Sequence, residues 1–121
     1  MYEDFKEWLD NILKNGLPEG GAAVNFNIYE EGENRWSLQF ILASEYDNQD
    51  DDWACEEIFS SEEDIFEFEL EGPWEQAQEK AIELIREYLQ NGSKKDLLNG
   101  YTAVCTGFVD GALMRVGPLK D

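Results

Sequence analysis

Apolar side chains recur at helical spacing at the start of the chain. Phe5, Trp8, Leu9, Ile12 and Leu13 fall at i, i+3, i+4, i+7 and i+8, a single stripe on a 3.6-residue period. The spacing predicts a helix over residues 2–15. Acids crowd its first turn and Lys14 lies near its end, the order that the helix dipole favours. Gly16 and Pro18 supply the stop. From residue 22 the period changes to two. In "AAVNFNIY", Val24, Phe26 and Ile28 point one way and Asn25, Asn27 and Tyr29 the other, which predicts a half-buried strand. "EEGEN" reads as a turn. "RWSLQFIL" then alternates again, with Trp36, Leu38, Phe40 and Leu42 on one face. Two alternating runs joined by a short Gly-containing link predict an antiparallel hairpin.

An acidic loop follows over residues 44–52. "WACEEIF" (53–59) is read as a third strand and "IFEFEL" (65–70) as a fourth. The link "SSEED" has an alternative use as a helical cap, because Ser60 precedes Glu63 by three residues. The run from Pro73 to Gly92 carries a long stripe, Trp74, Ala77, Ala81, Leu84, Ile85 and Tyr88. Pro at its start and Gly past its end bracket a second helix. In "YTAVCTGFVDGALMRV", Val104 and Phe108 lie in a strand, Asp110-Gly111 is a hairpin turn, and Leu113 and Met114 return. The order α-β-β-β-β-α-β-β predicts an α+β fold. Its expected form is a single antiparallel sheet of five to six strands with two helices packed on one face. A length of 121 residues fits one domain over residues 1–121.

Composition narrows the function. A 42% hydrophobic content with 13% aromatics argues for a folded core in spite of the charge. The net charge is −19, which excludes nucleic acid as a partner and disfavours anionic membranes. A basic protein or a cation is the natural partner, and solubility alone is the bland alternative. There is no histidine. That removes Ser-His-Asp and Cys-His catalysis and nearly all catalytic zinc sites. No phosphate-cradling glycine motif is present. The chain is therefore expected not to be an enzyme and to need no cofactor or metal. Calcium is considered at "DNQDDD", but neither a start at Asp47 nor one at Glu45 gives the required Gly at position 6; weak, unspecific binding is the most it offers. Cys55 and Cys105 are expected to be reduced and buried, in a cytoplasmic protein. The acidic N-terminus does not read as a signal peptide.

The charge is also segregated. From Trp36 to Glu79 there are 15 acidic residues and no Lys or Arg. Like charges facing one another across a sheet destabilise it, so Glu56, Glu67 and Glu69 either guard an edge strand or await a positive partner. The candidate partner-binding residues are Glu45, Tyr46, Asp47, Asp50, Asp51, Asp52, Trp53, Glu56 and Glu57. Tyr46 and Trp53 are aromatics among carboxylates, and interfaces use such residues as anchors; Trp53 has an equal alternative in the core.

"NFNIYEEGENRWSLQF", "DDDWACEEIF" and "TAVCTGFVDGALMRV" together resemble small acidic bacterial proteins of the immunity class, from polymorphic toxin and contact-dependent inhibition systems. In "GALMRV" the sequence departs from that pattern, where an acid after the Asp-Gly turn is more usual. The resemblance implies a monomer or weak dimer that binds and occludes a cognate toxin, often a basic nuclease, without chemistry of its own. A DNA-mimic inhibitor of the anti-restriction or anti-CRISPR type, and an acidic housekeeping domain, are the competing readings.

Overall fold

A computed structural model describes residues 1–119 of the chain. Helix α1 spans Tyr2–Leu13 and buries Phe5, Leu9 and Leu13. Gly16, at φ +77°, takes the left-handed backbone that follows a helix end. Strands β1 (Ala23–Gly32) and β2 (Arg35–Ala43) pair antiparallel, with Phe26 opposite Phe40. Asn34, at φ 60°, sits in the tight turn between them; Asn tolerates that region better than most residues. Strands β3 (Glu57–Ser60) and β4 (Phe66–Glu69) both pair with β2. They lie end to end, β3 against the last residues of β2 and β4 against the first. Helix α2 runs over Trp74–Asn91 and a short α3 over Lys95–Asn99. Strands β5 (Ala103–Phe108) and β6 (Met114–Gly117) close the sheet, in the order β3-β2-β1-β5-β6, with β4 on the same edge as β3.

The α+β class is as expected, with six strands in one sheet and α1 and α2 on one face. The main core lies between them. Val24, Phe26, Ile28, Leu38, Phe40 and Leu42 meet Phe5, Leu9, Leu13, Ala81, Leu84 and Ile85, all 2% exposed or less. Phe5 stands edge-on to Phe66 at 5.5 Å and Phe26 edge-on to Phe40 at 5.4 Å, the geometry that aromatic quadrupoles prefer. A polar clamp joins the helices. Asp10 accepts from the Tyr88 hydroxyl at 2.6 Å, from Lys6 Nζ at 2.9 Å and from Ser93 Oγ at 3.1 Å. Burial works against the Asp10 charge, but the bonds from Tyr88, Lys6 and Ser93 outweigh it and hold the carboxyl below its ordinary range. Tyr88 is pushed well above the tyrosine range, first by burial and then by Asp10.

Six details differ from expectation. The sheet is mixed, because β5 runs parallel to β1. The outer edge of β2 is taken by β3 and β4, so β5 uses the free edge of β1, and the helical crossover returns the chain in β1's own direction. The third strand begins only at Glu57; Asp51–Cys55 form a 3₁₀ turn, started by Asp50, whose Oδ1 accepts from the Asp52 amide at 3.0 Å. Alternation therefore does not apply there: Trp53 turns inward at 3% exposed while Cys55 is exposed, not buried as expected. Trp74, placed in the core stripe of α2, is 51% exposed, because the buried face of the helix starts at Ala77. Helix α3 was not anticipated, and β6 starts after Leu113.

Candidate binding face

The helices leave the second face of the sheet uncovered. Register places Asn25, Asn27, Tyr29, Ser37, Gln39 and Ile41 on it, beside Ala103 and Cys105 of β5. At one end of this face a second, smaller core forms. Trp53 packs with Ala23, Ile41, Ala43, Ala103 and Cys105, and Tyr46, Ala54 and Leu113 close over it. The acidic loop is therefore not a free tether. It is folded down on the sheet by its own aromatics, with the Tyr46 and Trp53 rings edge-on at 5.3 Å. Arg115 lies over the Tyr46 ring at 5.6 Å, a cation–π contact, and Asp51 Oδ2 accepts the Leu113 amide at 3.1 Å. Beneath, burial pushes the Cys105 thiol up to about 11.

The remainder of the face is a hydrogen-bonded polar floor. Asn25 Nδ2 donates to Asn27 Oδ1 at 2.6 Å, Asn27 Nδ2 to Gln39 Oε1 at 3.1 Å, and the Tyr29 hydroxyl to the same Gln39 oxygen at 3.1 Å. Gln39 Nε2 donates to the Glu62 carbonyl at 3.1 Å, tying the floor to the β3–β4 link. Ser37 donates to the Glu31 carboxylate at 2.9 Å. Asn25 is wholly buried, and its Oδ1 has no partner among the described residues. Leaving such an acceptor unpaired costs about 1–3 kcal/mol.

Carboxylates surround this floor. Cross-strand pairing sets Glu67 beside Ser37, Glu69 beside Arg35 and Glu57 beside Ala43, all exposed. The folded loop adds Glu45, Asp47, Asp50, Asp51, Asp52 and Glu56, likewise exposed. Some of these acids also hold the loop's shape: Asp47 Oδ1 accepts the Gln49 amide at 2.9 Å, Asp50 caps the 3₁₀ turn, and Asp51 holds the β5–β6 hairpin. Asp52, Glu57, Glu67 and Glu69 make no side-chain hydrogen bond among the described residues. Among those residues the single ion pair is Lys6–Asp10, on the helix side. Two carboxylates about 7 Å apart in water repel by about 0.6 kcal/mol, so this face carries charge that no ion pair among the described residues neutralises.

The structure thus brings the nine sequence candidates together on one side of the sheet, with one reassignment: Trp53 supports the loop from below. The polar floor follows the alternation visible in β1 and β2, but no local signal in the sequence marks it as a site or seats Arg115 on Tyr46. Among the described residues no cluster of three or more acid or thiol groups converges as a metal site would, and no helix is long and apolar enough to cross a membrane. No protein-family model, curated protein or solved structure matches the chain. Fold and face define an α+β protein with one sheet face sealed by helices and the other polar and acidic.

Proposed function

We propose that this chain is an inhibitor of the immunity-protein class, which binds a basic toxin domain across its open sheet face and blocks it. The observation that carries the reading is the uncompensated acidity of that face. Nine exposed carboxylates, on β3, β4 and the docked loop, flank a hydrogen-bonded floor, with Arg35 and Arg115 at its margins. Mixed signs are the ordinary way to build a solvated sheet face. A strong excess of one sign on a fixed scaffold steers a positive partner and suppresses wrong ones. The loop's second core supports the same reading, because a surface held in place before binding loses less entropy on association.

The test is protection in cells. Each reading frame flanking the gene is expressed alone, and one that kills is expressed again with the wild-type chain and with a variant carrying Asp52→Asn, Glu57→Gln, Glu67→Gln and Glu69→Gln. Survival is expected with wild type and reduced survival with the variant. Equal killing with and without the wild-type chain refutes the proposal. Displacement of the bound toxin by duplex DNA would instead favour the DNA-mimic reading.

A further inference from the structure

A second concave surface lies on the helix side of the sheet, between the first turn of α2 and the β5–β6 hairpin. It is a groove of about 590 Å³, within the range of ligand-sized sites. Trp74, Val109 and Met114 line it and are 51%, 56% and 45% exposed. Among the described residues they are three of the five large apolar side chains that stand exposed. Phe108 forms a shared wall: its ring is edge-on to Trp74 at 5.7 Å and to Trp36 at 5.9 Å, so Trp74 is braced in place. Glu30 and Asp110 also line the groove, and among the described residues no Lys or Arg does.

Apolar and aromatic walls with carboxylates select one kind of occupant. We propose that the groove receives an arginine or lysine side chain from the basic protein partner, with its stem along Met114 and Val109 and its cation against Trp74, Glu30 and Asp110. Long basic side chains bury their methylenes on apolar surface and keep the charge at the edge. Indole is the best ring for a cation, and the chain already makes such a contact at Arg115 and Tyr46. The positive end of the α2 dipole opposes a cation with about half a unit charge; Glu30, Asp110 and the exposed Glu75 in the first turn outweigh it. The groove is also continuous with the acidic face. The hairpin carries Met114 in the groove, while the neighbouring Leu113 packs under the acidic loop and its amide bonds Asp51. A partner gripping this hairpin would touch both surfaces, so the inference rests on the proposed function.

The experiment is an amide and indole NMR titration of the full chain at near-physiological salt. The probe is a short capped peptide alternating leucine and arginine. Saturable shifts are expected at the Trp74 indole and at residues 109–114. Trp74→Ala, and Glu30→Gln with Asp110→Asn, should each weaken binding at least fivefold. Glu19→Gln with Glu83→Gln, which removes the same charge elsewhere, should change it less than twofold. The matching leucine–glutamine peptide should bind at least fivefold more weakly. Shifts confined to the open face, equal binding of the glutamine peptide, or no saturable binding overturn the proposal. So do groove shifts that grow with protein concentration alone, which would make a second copy the occupant. Because the probe is not the toxin, the groove can fail while protection in cells stands, and the reverse.

Discussion

Removing the Trp53 ring tests whether the acidic loop is built on the sheet or merely lies near it. The ring is 3% exposed and stands at the centre of the second core. A Trp buries roughly 150–250 Å², which at about 25 cal/mol per Å² gives about 4–6 kcal/mol. The denatured chain already hides part of that area, so the figure falls to about 3–4 kcal/mol. Measured Trp-to-Ala changes in cores span the same range, about 3–5 kcal/mol. Unfolding entropy near 2.1 cal/mol/K per residue gives this chain about 0.25 kcal/mol/K, so 1 kcal/mol is about 4 °C. Trp53→Ala should therefore lower Tm by about 12–16 °C, followed by far-UV circular dichroism because the change removes a fluorophore. Trp74→Ala, the same substitution where about half of the side chain is already in water, should lower Tm by about half as much, about 6–8 °C. A loss below about 4 °C for Trp53→Ala, or equal losses for the two, would refute the second core.

Three further outcomes follow from the same geometry. The Asp10 carboxyl is held below its ordinary value, so its contribution to stability is complete above about pH 4, the unfolded value, and is lost as pH falls through the depressed one. The stability gap between wild type and Asp10→Asn should be widest at neutral pH and close in that acid window; a gap independent of pH contradicts the clamp. Alkylation of the native protein should label the exposed Cys55 quickly and leave Cys105 unlabelled, because Cys105 is buried with its thiol at about 11; rapid labelling of both would mean that the loop opens freely. Raising salt from 0.01 to 0.1 M shrinks the Debye length from about 30 to about 10 Å and should raise Tm, since the described residues make one ion pair and the net charge is −19; a flat or falling Tm would show local compensation.

Periodicity made most of the scaffold legible. The α1 stripe, the alternation in β1 and β2, and the Pro73 and Gly92 brackets of α2 each correspond to an element, because each encodes burial on a face. What it missed depended on pairing at a distance. No local signal said that β3 and β4 would share the edge of β2, and that choice sent β5 to β1 in parallel. The pattern of "DWACEEIF" fits a strand as well as a turn; Asp50 capping Asp52 decides for the turn and sends Trp53 inward and Cys55 out. Trp74 fitted the helical stripe, but a stripe does not say how far a helix extends beyond the sheet it covers. The acids of the candidate face were countable in the sequence. Their gathering on one side of the sheet required the loop to fold back over β1 and β5, which is a tertiary fact.

The central proposal is that the open acidic face meets a basic partner, and its most direct measurement is the association rate, as a function of salt, with a basic toxin domain against which the chain protects cells. Stopped-flow mixing of the wild-type chain should give a rate that falls at least about tenfold between 0.01 and 0.15 M salt, as steered encounters do. The variant with Asp52→Asn, Glu57→Gln, Glu67→Gln and Glu69→Gln removes charge without removing a hydrogen bond. It should associate more slowly at low salt, with a flatter salt dependence and a dissociation rate changed less than about threefold, because rim charges act on encounter. Identical association rates and salt slopes for the two proteins would contradict the account.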